Sequence, residues 1–254
     1  MLRPRIIPAL LLNNGGLVKT KNFIKPKYVG DPINAVRIFN EKEVDELVFL
    51  DISKRRFIDG PNYKLIEDIA GEAFMPFAYG GGISNIKQIK NIFKIGVEKI
   101  ILNSSVIENP KLISEASEIA GSSSVVVSID IKRSWRGNLR VYKNSGTKKT
   151  KIKLEEYIKN IEKLGAGELL INAIHCDGLM KGYDLNLIKE ISSLTSIPLI
   201  AIGGAGNLIH LKEAIKAGAS GVAAGSFFVF HGTHQAILIT YPSFDELEQL
   251  INYD

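Results

Sequence analysis

The chain has 254 residues, 45% hydrophobic and 23% charged, with a net charge of +5. This is the composition of a globular protein with a sizeable core, and it excludes low-complexity and fibrous classes. A single cysteine, Cys176, excludes an internal disulfide and suits a reducing, cytoplasmic setting.

Arg3 and Arg5 lead into the apolar run Ile6 to Leu12. Pro8 interrupts that run and Asn13-Asn14-Gly15-Gly16 follows as a turn, so it reads as a first strand near 5–11 and not as an export signal. Residues 13–30 read as a loop carrying Lys19, Lys21 and Lys25. Short apolar runs then alternate with amphipathic stretches, the pattern of parallel strands covered by helices. The predicted order is helix 31–43, strand 46–51, helix 62–71, strand 75–79, helix 84–95, strand 98–102, helix 109–120 and strand 124–130. A second loop, 132–152, contains Trp135, Arg136, Gly137 and a hairpin through Asn144-Ser145-Gly146. The alternation resumes with helix 153–164, strand 168–173, helix 184–194, strand 198–202, helix 207–217, strand 221–224 and helix 243–251. Ser84 before Asn85, Asn109-Pro110, and Asp184 before Leu185 read as helix starts. No stretch approaches the ~18 apolar residues of a membrane span.

The second half of the chain repeats the first. Glu46-Leu47-Val48-Phe49-Leu50-Asp51 returns as Glu168-Leu169-Leu170-Ile171-Asn172-Ala173, and Lys94–Ser104 returns as Lys216–Ser226, both 122 positions later. Eight strand–helix units with a halved repeat predict an α/β fold, a (β/α)8 barrel forming one domain over 1–254, with half-barrels of about 1–122 and 123–254. A doubly wound open sheet is the competing architecture, and it gives no reason for two equal halves.

Chemistry in such barrels gathers at the C-terminal ends of the strands. There the sequence places Gly80-Gly81-Gly82, Asn103-Ser104-Ser105, Asp177-Gly178, Gly203-Gly204 and Gly225-Ser226. Glycine lets backbone N–H groups approach an anion, so turns on two opposite sides of the mouth suit a small ligand phosphorylated at both ends. Taken singly, each is equally well a tight turn. Asp51, Asp130 and Asp177 are the carboxylates available at these ends for proton transfer or ligand contact. Laying Pro8-Ala9-Leu10-Leu11 over Val127-Ser128-Ile129-Asp130 puts Leu11 opposite Asp130, where an acid/base pair needs a second acid.

At the opposite end, Arg5, Glu46, Lys99 and Glu168 start strands 1, 2, 4 and 6. Pointing inward, they form an ion-pair ring that doubles as a gate; pointing outward, they are ordinary surface charges. His175, His210, His231 and His234 show no metal-ligand spacing, so neither a metal nor a cofactor is expected. The basic run from Lys132 to Lys153 has only Trp135 and Tyr142 among its cations, which suits a solvated hairpin better than a nucleic-acid surface.

Several of these motifs together resemble the HisF family, cyclase subunits of imidazole glycerol phosphate synthase. They are Arg5-Ile6-Ile7-Pro8, Asp45 to Ile52, Gly80-Gly81-Gly82-Ile83, Asp130, Gly182-Tyr183-Asp184 and Gly203-Gly204-Ala205-Gly206. The resemblance implies a barrel that binds a bis-phosphorylated ligand at its top. It also implies a HisH-like glutaminase on the floor, with ammonia passing the gate Arg5, Glu46, Lys99 and Glu168 to reach the ligand. Lys19 matches the family's ligand-covering loop. Where the family carries an essential strand 1 aspartate this chain has Leu11, and polar pocket positions become Ala78 and Ile202, with Asn172 for a threonine. HisF-like chains without that aspartate are similar to subunits that supply ammonia to an ATP-dependent enzyme amidating a surface-polysaccharide sugar. The expectation is therefore an ammonia-delivering subunit; the alternatives are a working cyclase of histidine biosynthesis and a non-catalytic phosphate-binding scaffold.

Overall fold

The computed structural model describes residues 3–135 and 137–252; Arg136 of the basic hairpin lies outside the described residues. Runs rich in Ile, Val and Leu form eight parallel strands, buried on both faces as such runs require. They are β1 (Arg5–Asn13), β2 (Leu47–Asp51), β3 (Phe77–Gly80), β4 (Lys99–Leu102), β5 (Val125–Arg133), β6 (Glu168–Ala173), β7 (Leu199–Ile202) and β8 (Gly221–Ala224). Each pairs with the next, and β8 returns to β1 with Gly221 opposite Arg5, so the sheet closes into the expected (β/α)8 barrel.

Eight helices cover it: α1 (Pro32–Glu41), α2 (Tyr63–Glu72), α3 (Ile86–Ile95), α4 (Lys111–Ala120), α5 (Leu154–Lys163), α6 (Leu185–Leu194), α7 (Leu208–Lys216) and α8 (Phe244–Asn252). Asp184 caps α6 as predicted, accepting the Leu187 N–H at 3.0 Å. Two of the predicted helix starts shift. Asn85, not Ser84, caps α3 by accepting the Gln88 N–H, while the Ser84 N–H donates to the Gln88 side chain at 2.7 Å. Pro110 occupies the cap position of α4, with no side-chain bond from Asn109. The short helices Arg56–Asp59, Ser104–Glu108 and Ser226–Val229 escape the sequence pattern because each is too short to show a helical period. No helix among the described residues is long and apolar enough to cross a membrane.

Both predicted loops prove to be structured. Residues 13–30 fold as antiparallel strands Gly16–Lys21 and Ile24–Gly30, the first paired to β1 with Leu11 opposite Val18. Asn22 and Phe23 adopt positive φ and turn the chain between them. Residues Leu139–Lys143 fold back along β5 with Tyr142 opposite Asp130, and the expected turn at Asn144-Ser145-Gly146 leads to the short strand Lys148–Lys149.

Apolar packing has two parts. The larger lies between strands and helices, where Phe39, Phe49 and Ile66 are fully buried and Phe49 meets Phe77 edge-on at 5.9 Å. The smaller lies inside the barrel and takes Ile7, Val48, Ala78, Ile101, Val126, Leu170, Ile200 and Ala223, one from each strand. Phe49→Ala empties a packed site and is expected to lower stability by about 3–5 kcal/mol, read by urea unfolding; a change within error would show that the layer repacks.

Candidate functional site

A cavity of about 800 Å³ opens at the C-terminal ends of the strands. Its wall contains the turns read from the sequence: Gly81 and Gly82 after β3, Asn103 and Ser104 after β4, Gly203 and Gly204 after β7, and Gly225 and Ser226 after β8. Glycine at 81 is required twice over, by its φ of +126° and by the Asp51 carbonyl, which leaves no room for a Cβ. The glycine turns of the two repeated halves thus line one cavity from opposite sides.

Asp130 projects from β5 into this space and is 6% exposed. Burial raises its pKa to about 7; the Asn103 side chain opposes that shift, Asp177 adds to it, and Arg56 opposes it. Ser128 sits one inward position below, and Asn172 lies beside Asp130 on β6 with its Oδ1 buried and without a protein partner. Leu11 also lines the cavity, so the wall facing this group from β1 is apolar. Asp130 is left with the pKa of a general acid or base but no carboxylate at Leu11 to act with it.

Lys19 lies under the β1 hairpin, its Nζ donating to the Ala9 carbonyl at 2.6 Å. Burial lowers its pKa to about 8, against the attraction of Asp177. Asp177 holds the hairpin in place: its Oδ2 accepts from Thr20 Oγ1 at 2.7 Å and from the Phe23 N–H at 3.1 Å. Gly178 permits the close approach, since a Cβ there would run into the Thr20 carbonyl. Asp177 and Gly178, read from sequence as ligand contacts, line the cavity and also dock the hairpin that carries Lys19. Asp51 Oδ1 accepts the Ser53 N–H at 2.8 Å and so shapes its own loop at the cavity edge.

His175 belongs to an ion-pair latch. Its Nε2 lies 2.9 Å from Asp184 Oδ2, and the Arg133 guanidinium grips the same carboxylate at 2.8 Å. The bond to Asp184 raises the His175 pKa to about 9. No group of three or more His, Cys, Asp or Glu among the described residues could hold a metal ion.

On the floor the four predicted charges meet. Arg5 bonds Glu46 through Nη1 and Glu168 through Nη2, the latter at 2.6 Å. Lys99 Nζ lies 3.3 Å from Glu46 and 3.1 Å from Glu168. Each acid therefore touches both bases, and the charges cancel around a closed ring directly beneath the apolar interior.

Sequence reading missed Arg56, Thr20, Ser128 and Ser145, all of which line the cavity. Ser128 was within reach, two residues before Asp130 on one strand and hence on the same face. Arg56 carried no signal, because Arg55-Arg56 in a loop reads as solvent-facing charge.

This geometry defines a (β/α)8 barrel whose mouth is lined by glycine turns on two sides and whose floor is closed by an ion-pair ring. Residues 5–235 match the histidine biosynthesis protein family, and the chain belongs to its HisF branch. It is 51% identical to a provisionally named imidazole glycerol phosphate synthase subunit HisF of Leptospira interrogans, covering 98% of this chain and 99% of that one. A provisionally named subunit hisF2 of Pseudomonas aeruginosa is 47% identical over 98% and 99%. The imidazole glycerol phosphate synthase subunit HisF of Petrotoga mobilis is 41% identical over 90% and 91%.

Asp130 sets a pH dependence. With its pKa at about 7 against an ordinary 3.8, the folded state holds a proton that the unfolded state has lost between those values. The contribution of Asp130 to stability therefore falls as pH rises from about 4 to about 7 and is level above. Asp130→Asn should remove that slope and stabilise the protein by roughly 1–4 kcal/mol above neutrality. Urea titrations across that range check it, and parallel curves for the two proteins would contradict it.

Proposed function

We propose that this chain is the barrel subunit of a glutamine-dependent ammonia-delivery complex. A HisH-like glutaminase docks on the floor, ammonia enters past Arg5, Glu46, Lys99 and Glu168, and it travels up the barrel to the mouth. The observation that carries this reading is the complete ion-pair ring beneath an apolar interior, below a mouth that lacks the second acid at Leu11. An interior of Ile, Val, Leu and Ala accepts neutral ammonia and rejects ammonium, whose charge it cannot solvate. Opening the ring needs little net charge movement, since two cations and two anions part together.

In this reading the acceptor is a separate ATP-dependent enzyme that converts an N-acetylated sugar of a surface polysaccharide to its acetamidino form. Two observations support it over ring closure inside the barrel. Leu11 cannot carry a proton. The provisionally named hisF2 of Pseudomonas aeruginosa and hisF3 of Vibrio vulnificus are 47% identical to this chain, between the unnumbered Leptospira subunits at 51–52% and the unnumbered Petrotoga subunit at 41%. Their numbering supports a role beside a histidine-pathway HisF. A second reading, a working cyclase of imidazole glycerol phosphate synthase, is favoured by Asp130, whose pKa near 7 suits proton transfer at neutral pH.

Two measurements separate the readings. Given the aminated phosphoribulosyl substrate and ammonium salt, the chain is expected to form imidazole glycerol phosphate about 10²–10⁴ times more slowly than a cyclase with both acids. Turnover at a full cyclase rate would overturn ammonia export. With a HisH-like glutaminase bound, Lys99→Ala should reduce ammonia reaching the acceptor per glutamine hydrolysed and raise ammonia leaking to solvent. Unchanged coupling would remove the ring from the path.

A further inference from the structure

Arg56 follows β2 and opens the short helix Arg56–Asp59, yet it is buried. Its Nη1 donates to the Ser53 carbonyl, its Nη2 donates to Ser145 Oγ at 2.6 Å, and the guanidinium lies 4.3 Å from the Phe57 ring centre. No carboxylate among the described residues forms an ion pair with it. Asp51 and Asp130 act on it only through space, and Asp130 is half neutral at pH 7. A guanidinium does not shed its proton at any accessible pH, so burial leaves it short of a counter-ion.

Its surroundings indicate what that counter-ion is. The Arg56 backbone and Cβ pack against Gly82, and Arg56, Asn103, Ser104 and Ser145 line one side of the cavity. The donors there are a planar fork, two hydroxyls and an amide. A carboxylate has two oxygens to engage them, whereas a phosphate monoester presents three. We propose that Arg56 is a ligand-contacting, specificity-determining residue of this mouth, and that it pairs with the phosphate of a small phosphorylated molecule. The inference deepens the reading of the mouth as a ligand pocket and is independent of ammonia passage. Arg56 also joins that ligand to the roof. Ser145 shares its turn with Asn144, whose N–H donates to Ser104 Oγ at 2.9 Å, and with Gly146, which packs on Phe23 of the β1 hairpin.

Calorimetric titration of the full chain with inorganic phosphate and with glycerol phosphate, against acetate at equal ionic strength, tests this. Wild-type protein should bind both phosphates and not acetate, and Arg56→Gln should weaken phosphate binding by about 10- to 100-fold. If Arg56→Gln does not fold, Arg56→Lys serves, with an expected loss of about 5-fold or more because the point charge lacks the fork. A residue with a purely structural role would lower the melting temperature and leave phosphate affinity intact. Equal affinity in wild type and folded variants, acetate binding as tight as phosphate, or no phosphate binding by wild type would each overturn the proposal. Ammonia coupling is read separately on the glutaminase complex, so failure of one does not mimic failure of the other.

Discussion

Four charged side chains at the bottom of a closed barrel can remain there only by satisfying one another. Arg5, Glu46, Lys99 and Glu168 come from strands far apart in the chain, and barrel closure brings them to one level around the axis. Removing any one would leave a charge of opposite sign uncompensated against apolar side chains, which is far costlier than the net worth of an intact pair. The ring therefore constrains the register of four strands at once. It also separates solvent below from the apolar layer of Ile7, Val48, Ala78, Ile101, Val126, Leu170, Ile200 and Ala223 above.

The mouth follows the opposite electrostatic logic. Three of its charged groups are buried without an ion pair among the described residues: the cations Lys19 and Arg56, and Asp130, which burial pushes toward its neutral form. Such an arrangement costs stability in the folded protein and is retained where a ligand or a reacting group completes it. The floor is balanced within itself; the mouth, among the described residues, is not. Leu11 and Ile202 make part of the same wall apolar, so that part offers no proton donor.

Much of this was legible in the sequence because it rests on local period and repeat. Apolar runs of four to nine residues, interrupted at regular spacing, can be satisfied only as strands buried on both faces. The correspondence of Glu46 with Glu168 and of Lys94–Ser104 with Lys216–Ser226 then points to closure in two matching halves. The glycine turns and Asp130 could be placed at the mouth because position along a barrel strand determines which end a residue occupies. The segments 13–30 and 132–152 read as loops because their strands are short, rich in lysine and, in Ile24–Gly30, mostly solvated. Those are properties that sequence patterns share with irregular chain.

The amino-acid order by itself determined the alternation of strands and helices, the turn positions and the loss of a titratable group at Leu11, since these depend on neighbouring residues or on single identities. Tertiary structure alone decided that four scattered charges form a ring, that Asp177 fastens the Lys19 hairpin, and that Arg56 is buried beside Gly82. Such facts depend on distances between residues up to 163 positions apart, as for Arg5 and Glu168, and only closure of the barrel sets those distances.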